Sequence, residues 1–310
     1  MEFNHIPVLK NECIEGLNIK ESGTYVDGTL GGAGHSLLIL ERLNNKGLHI
    51  GIDRDEEALR ASKERLKQYS NFVIVHDNHS NILNILKEKD IAAVDGILLD
   101  LGVSSYQLDE AERGFSYMHN AKLDMRMNKQ DKITAKDIVN NYKEEELVKI
   151  FFDYGEERFS RKIARKIVER RKEKKIETTL ELVEIIKSSL PGKALLEKQH
   201  PAKRIFQAIR IEVNNELSEL KQTIKDCILS LKPKGRLCII TFHSLEDRIV
   251  KLTYEDMQGK CKCPTDFPKC VCNYISYGKN ITNKPITESI EILKQNPRSR
   301  SAKLRIFEKN

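Results

Sequence analysis

Eleven residues near the start of the chain restrict the fold more than any other stretch: Tyr25-Val26-Asp27-Gly28-Thr29-Leu30-Gly31-Gly32-Ala33-Gly34-His35. An apolar run ends in an acid and turns through four glycines within seven residues. It then passes at once into a helical pattern, Ser36, Leu37, Leu38, Ile39, Leu40 and Leu43. That order is strand, tight turn, helix. Glycines let the backbone take φ > 0 and admit a ligand to the main chain with no Cβ in its way. A second strand, Leu48-His49-Ile50-Gly51-Ile52, closes on Asp53. This acid falls about 20 residues after the glycines, where a βαβ unit places a carboxylate able to accept from two ribose hydroxyls.

The glycine spacing is G-x-x-G-G-x-G, not the G-x-G-x-x-G of dinucleotide sites. Asp27 stands before the turn, and a carboxylate there repels a pyrophosphate. It suits a ligand with a positive centre, such as the ammonium and sulfonium of S-adenosylmethionine. A glycine-rich turn alone occurs in many α/β proteins; Asp53 at the ribose spacing makes nucleoside binding the better reading.

At 310 residues the chain can bury a sizeable core in one large or two ordinary domains. Charged residues are 32% of it and the net charge is +7, a basic excess that permits a polyanionic partner without requiring one. No apolar run approaches the ~20 residues that cross a bilayer, and the start lacks the basic-then-apolar order of a signal peptide, so the chain reads as soluble and cytoplasmic. Of seven cysteines, Cys13, Cys227 and Cys238 sit in apolar surroundings and read as small core residues. Cys261, Cys263, Cys270 and Cys272 form C-x-C-x6-C-x-C. Four thiolates can make a tetrahedral zinc site, but C-x-C is tighter than the usual C-x2-4-C, so the expectation is a reduced cluster without metal.

Residues 1–24 read as a lead-in, with Pro7 holding His5-Ile6 extended. After the first βαβ unit and a helix carrying Ala58, Leu59 and Leu66, a third strand, Phe72–His76, runs into Asp77-Asn78-His79. Ligands of open α/β sheets lie at the carboxyl ends of strands, which makes that loop a candidate adenine wall. A helix is expected over 80–87. A fourth strand, Val94–Leu99, ends at Asp100-Leu101-Gly102-Val103-Ser104-Ser105. An acid there also serves as a turn or cap residue, but its place on one rim with Asp27 and Asp53 favours function.

The βα rhythm stops near 106 and resumes near 216. The stretch between reads as an inserted helical domain. A helical pattern covers 131–152. From Arg158 to Lys175 there are ten Lys or Arg against two Glu. Phe159, Ile163 and Ile167 recur on one face, and Arg158, Arg161, Lys162, Arg165 and Lys166 occupy the other. Charge runs are commonly solvated faces; this density of one sign points to a phosphate-contacting surface. A further helix from His200 carries a stripe of Phe206, Ile209, Val213, Leu217, Leu220 and Ile224, with Arg204, Arg210 and Asn214 off it. Leu231–Gly235 reads as a turn and Arg236–Phe242 as a strand ending in His243-Ser244-Leu245-Glu246-Asp247-Arg248. A basic loop, Asn296–Ser301, precedes a last edge strand over 302–307.

Strings along nearly the whole chain are similar to those of the RsmH (MraW) family of methyltransferases. They include His5-Ile6-Pro7-Val8-Leu9, Asp27 to His35, Asp53-Arg54-Asp55, Asp95 to Ser105, Glu112-Arg113-Gly114-Phe115-Ser116, Leu123-Asp124-Met125-Arg126-Met127, Tyr154 to Phe159, Phe242 to Arg248, and Asn296-Pro297-Arg298-Ser299-Arg300. The resemblance implies a Rossmann-like class I methyltransferase sheet (α/β) formed by residues 1–105 and 216–310, with 106–215 as an inserted helical substrate-recognition domain. It implies transfer of a methyl group from S-adenosyl-L-methionine to cytosine N4 in small-subunit (16S) ribosomal RNA, in the decoding region. Implied cofactor contacts are Ala33, Gly34, His35, Asp53, His79, Asp100 and Gln107, to which the residue reading adds Asp27, Gly31 and Gly32. Two departures stand out: His79 replaces a more usual aromatic, and Tyr106 an expected proline.

The candidate catalytic residues are Asp100, as acceptor from the amine N–H, and His243, for the departing proton or a phosphate. The D-P-P-Y pattern of amino methyltransferases is absent, which leaves the base-stacking partner open among Phe115, Tyr117 and Phe242. Arg161, Lys162, Arg165, Lys166, Arg204, Arg210, Arg298 and Arg300 are the candidate RNA contacts. The expected partner is small-subunit ribosomal RNA, with no membrane; a homodimer is left open. Against a nicotinamide oxidoreductase stand the glycine spacing and Asp27. Against a non-catalytic RNA-binding protein stand three acids at successive strand ends. DNA or protein as methyl acceptor stays open on the residues alone; only the resemblance selects ribosomal RNA and N4.

Overall fold

The computed structural model describes residues 7–197, 199–259, 263 and 274–310. The expectations for His5 and Ile6, and for Cys261, Cys270 and Cys272, lie outside the described residues. The chain forms two compact units, residues 1–102 with 217–310, and residues 103–216.

The discontinuous unit is built on seven strands: β1 (Thr24–Asp27), β2 (Leu48–Asp53), β3 (Phe72–His76), β4 (Val94–Asp100), β5 (Leu231–Thr241), β6 (Gly278–Asn280) and β7 (Lys303–Lys309). Their order is β3-β2-β1-β4-β5-β7-β6. The first five are parallel, while β7 runs antiparallel to both β5 and β6. This is the expected Rossmann-like α/β sheet. Parallel strands covered by helices on both faces read as near-continuous apolar runs, as Ile97-Leu98-Leu99 and Leu237-Cys238-Ile239-Ile240 do; all seven are at most 1% exposed. One face packs on Leu9, Leu17, Ile39, Leu40 and Leu43, the other on Ile82, Ile85, Ile224, Ile228, Val250 and Tyr254. Register pairs Asp27 with Gly51 and Leu98, and Asp53 with His76. Asp100 pairs with Ile240. The three acids therefore share the carboxyl end of the sheet, on both sides of the β1/β4 switch point where such sheets bind ligands.

The second unit is helical: among its described residues the β pairing is one isolated bridge, Lys122 with Thr178. Its core gathers Leu147, Phe151, Ile163, Ile167, Ile186, Phe206 and Ile209.

Four local expectations are corrected. The pattern over 131–152 is two helices, Ala135–Asn141 and Glu144–Asp153, because Tyr142 and Lys143 take extended backbone and Lys143 begins a new cap. The stripe from Phe206 to Ile224 is also two helices, Lys203–Asn214 and Leu220–Ser230; Asn215, at φ 51, ends the first, as Asn tolerates the left-handed region. The turn at 231–235 lies inside β5, as an exposed bulge with Lys234 at φ 64 and a register slip against Val94 and Gly96. Finally, β7 is not an edge strand, since β6 pairs along its far side.

Candidate active site

The glycine turn is held from below and from the side. The Gly28 N–H donates to the Leu98 carbonyl at 2.9 Å and the Leu30 N–H to the Ile52 carbonyl at 2.9 Å. Ser62 Oγ donates to the Gly31 carbonyl and Arg65 Nη1 to the Gly32 carbonyl, both at 2.7 Å. Gly31, at φ +47, makes the left-handed bend. Gly28 is required for packing: a Cβ there would meet Leu99 Cδ2 at 2.4 Å and His79 Cβ at 3.0 Å. Gly34 backs onto Pro7, whose Cγ a Cβ would meet at 2.6 Å. Ala33, fully buried at φ 58, holds a conformation that non-glycine residues adopt at a cost, at the start of helix Gly34–Leu43.

Asp53 ties the end of β2 to this turn. Its Oδ2 accepts from the Gly31 N–H at 2.7 Å and its Oδ1 from the Asp55 N–H at 2.9 Å. Each oxygen keeps a second lone pair. Burial pushes the carboxyl up to about 6, against the pull of those two N–H groups. His79 opens the turn after β3, capped by Asn78. Burial, helped by Arg54, draws its ring down to about 4. It is therefore a neutral, flat group beside Gly28.

Asp100 closes β4. Its N–H donates to Thr29 Oγ1 at 2.6 Å, which fixes the main chain. Oδ2 lies 3.8 Å from His35 Nδ1, and Oδ1 is buried with no hydrogen-bond partner. Burial pushes this carboxyl up to about 6; His35 opposes the shift, and Asp27 and Glu246 add to it. Buried carboxylate oxygens are almost always paired, so this one calls for a donor or a positive charge.

Other predicted residues play different parts. Asp27 does not present its carboxylate to a ligand: it is 1% exposed, and it accepts from Thr29 N–H at 3.1 Å and Ser36 Oγ at 2.7 Å. It holds the turn from within. His35 is turned inward too, donating Nε2–H to the Val8 carbonyl at 2.8 Å. Gln107 belongs to the other unit, is 5% exposed, and its Oε1 accepts from the Ser104 N–H at 3.1 Å as half of a capping box. His243 likewise caps helix Ser244–Gln258, accepting from the Glu246 N–H on Nδ1 at 3.4 Å. Its Nε2 is buried without a hydrogen bond, 3.1 Å from Glu246 Oε1. Thr29 and Glu246 were missed as site residues. A hydroxyl among glycines was the available signal for Thr29. Nothing local marked Glu246 as a 1% exposed carboxylate that receives the Phe242 N–H at 2.8 Å.

In the helical unit, Arg161, Lys162, Arg165 and Lys166 stand exposed along helix Ser160–Glu173 and line a shallow hollow with Glu169 and Ser189. Lys166 reaches Glu169 at 3.7 Å and Arg165 reaches Glu144 at 3.8 Å, exposed pairs that hold their charges weakly. Arg204 lies 3.7 Å from Glu157. Arg210 is not available as an RNA contact: it grips Glu216 through Nε and Nη2, both at 2.8 Å, with side chains 16% and 7% exposed. Arg300 is exposed in the turn Pro297–Ser301; the side chain of Arg298 lies outside the described part. Phe115 is a 6% exposed core residue, and Tyr117 has one ring face covered by His200 at 4.5 Å. Phe242 packs partly buried on the sheet core.

The donor set fits S-adenosylmethionine and disfavours a pyrophosphate. It has acids at the ends of β2 and β4, one with an unpartnered buried oxygen and one ribose-spaced with lone pairs to spare, and the neutral ring of His79 beside Gly28. The family model for the MraW methylase family matches residues 2–310. Two full-length relatives, each named ribosomal RNA small subunit methyltransferase H, come from Clostridium botulinum strains 657 / Type Ba4 and Loch Maree / Type A3. Each is 60% identical over 309 residues, with 100% of both chains covered. A solved rRNA methylase from Streptococcus thermophilus overlays with a TM-score of 0.42 at 11% identity, covering 98% of each chain. With its whole length matched by that model and by those relatives, this chain belongs to the MraW methylase family.

Proposed function

We propose that this protein transfers the methyl group of S-adenosyl-L-methionine to the exocyclic N4 amine of a cytidine in small-subunit (16S) ribosomal RNA, in the decoding region and in the cytoplasm. Family membership, and relatives whose names state small-subunit ribosomal RNA, support the substrate. The observation that carries the chemistry is Asp100, a carboxylate at the rim of the central strand one of whose oxygens is buried without a hydrogen-bond partner. The cofactor, when bound, supplies an electrophilic methyl group on a positive sulfonium. Asp53 would take the ribose hydroxyls, and His79 would stand against the adenine. The cytosine amine is a poor nucleophile because its lone pair is delocalised into the ring. A carboxylate accepting from its N–H favours the pyramidal, positively charged nitrogen of the transition state. Asp100 is the group proposed for that role, and His243 for a polar contact near it.

The target base must be unstacked and accessible for its amine to react. The surface proposed to hold the surrounding RNA is the Arg161, Lys162, Arg165 and Lys166 face. Incubation with labelled cofactor and small subunits lacking the modification should place one label on a cytidine N4. Label on any other nucleotide, or none, overturns the reading. Replacing Arg161 and Lys162 by Gln should lower the slope of log affinity against log salt by about 1.4, roughly 0.7 per lost phosphate contact on single-stranded RNA. An unchanged slope in a filter-binding titration removes that face from the interface.

The carboxyls set a pH window. Asp53 and Asp100 both stand near 6 when folded, raised by burial from the usual 3.8. The folded protein therefore keeps their protons between pH 4 and 6 after the unfolded chain has lost them, and the stability they contribute is lost as pH rises through that window. The cationic cofactor needs them ionised. Its affinity, measured by calorimetry without RNA, should rise between pH 5 and 7 by about tenfold for each carboxylate that must ionise. A flat profile would show that neither does.

A further inference from the structure

A line of buried polar atoms runs from β2 to the glycine turn. His49, 0% exposed, stacks on Phe72 with ring centroids 5.5 Å apart. Its Nδ1 lies 3.2 Å from the Tyr25 carbonyl oxygen and its Nε2 2.8 Å from Ser36 Oγ. Ser36 Oγ, also fully buried, lies 2.7 Å from Asp27 Oδ2. Asp27 Oδ1 accepts from Thr29, and Thr29 Oγ1 in turn accepts the Asp100 N–H. The line thus ends on the main chain of the residue assigned to the chemistry.

Its protons can be counted. A carbonyl oxygen only accepts, so His49 Nδ1 carries a hydrogen. If the imidazole is neutral, Nε2 is bare and takes the Ser36 O–H. The hydroxyl proton is then used, and the 2.7 Å gap to Asp27 needs a hydrogen from the carboxyl. If Ser36 instead donates to Asp27, Nε2 must carry a hydrogen and the ring is a cation. Both arrangements hold the same number of protons, one more than an ionised Asp27 beside a neutral His49. That poorer state would set two lone pairs face to face where water has no access, and it would bury an uncompensated charge.

We infer that Asp27, Ser36 and His49 hold one proton in common, and that Ser36 and His49 are thereby positioning residues that keep the glycine turn and the Asp100 main chain in register. The positioning role rests on the methyl-transfer reading above; the proton count does not. Burial draws the His49 ring down to about 4, and the charge of Asp27 opposes that pull. The other titratable groups facing Asp27 are Asp100 on β4 and Cys13 on helix Lys10–Leu17, with His35 beside Ser36.

The count is tested by imidazole 15N resonances of the full-length protein, with His49 assigned from the signal lost in His49→Gln. A hydrogen on Nδ1 between pH 6 and 8, with Nε2 protonated or else bare beside an Asp27 carboxyl whose 13C resonance is that of the protonated form, is the expected result; a bare Nε2 beside an ionised Asp27 overturns the count. A neutral ring protonated on Nε2 alone overturns the proposal, and this measurement needs neither methyl donor nor RNA. Ser36→Ala cuts both gaps at once. It should leave the hydrogen on His49 Nδ1, which faces the Tyr25 carbonyl, and weaken S-adenosylmethionine binding about tenfold by calorimetry. Unchanged binding in a folded variant overturns the positioning role. If the unaltered protein bound no S-adenosylmethionine, the methyl-transfer reading would fall while the proton count stood.

Discussion

Asp100→Asn is expected to slow methyl transfer about 100- to 1,000-fold, the range found when one preorganised electrostatic contact is removed from a transition state. Asn keeps the size of the side chain and replaces a charge-bearing acceptor by a neutral amide. The loss in kcat should exceed the roughly tenfold loss of affinity for the cationic cofactor, since the charge is needed most where the amine nitrogen becomes positive. Binding of the demethylated cofactor should weaken by less than about tenfold, because Asp53 and the turn still hold the nucleoside. The folded state should keep or gain stability, because the variant no longer buries a carboxyl whose ionisation is opposed by its surroundings. Single-turnover rates, calorimetry and a denaturant melt separate these effects. Retention of the full rate would remove Asp100 from the chemistry.

Arg210→Ala should be costly in the opposite place. The Arg210–Glu216 pair is bidentate and mostly buried, so truncation strands the Glu216 carboxylate at 7% exposure. Breaking one side of a buried pair costs about 3–5 kcal/mol; with Arg210 partly open to water, about 2–4 kcal/mol is expected. Replacing both residues by apolar ones, Arg210→Met with Glu216→Leu, should recover most of that loss. RNA affinity of folded Arg210→Ala should stay within about twofold of the parent, because the guanidinium is already committed to a carboxylate. A large affinity loss with little change in the melt would reverse the assignment and return Arg210 to the RNA surface.

These two residues mark where the chain could be read and where it could not. Asp100 was legible because a short apolar strand ending in an acid has few places to go in a parallel sheet. Asp27 and Asp53 follow from the same rule. Direction was harder. Asp27 and Arg210 are charged residues at the expected positions, yet each points at a partner: Ser36 lies nine residues away and Glu216 six. Spacing shows which side of an element a residue occupies, not whether a neighbour of opposite need is already in reach. The helix ends at Asn141 and Asn214 were missed for a related reason. The apolar stripe continues across each break, and only the backbone at Tyr142 and Asn215 shows that the axis has changed. Gln107 and His243 carry side chains occupied by capping, a use that a motif cannot distinguish from contact with a ligand.

The antiparallel strand β7 has a consequence for how the molecule is made. It packs against helix Lys10–Leu17, where a Cβ on Gly16 would meet Ile306 Cδ1 at 2.7 Å, and the Leu9 N–H donates to Glu288 Oε1 at 2.6 Å. During translation, β4 emerges with its partner β5 still about 130 residues away, which at 5–20 residues per second leaves an apolar edge open for roughly 7–26 seconds. The helical unit, an unbroken stretch from 103 to 216, is synthesised inside that interval. The nascent sheet is thus most exposed to wrong pairing while the ribosome is making the helices, and the early helix gains its full seat only when the final strand is released.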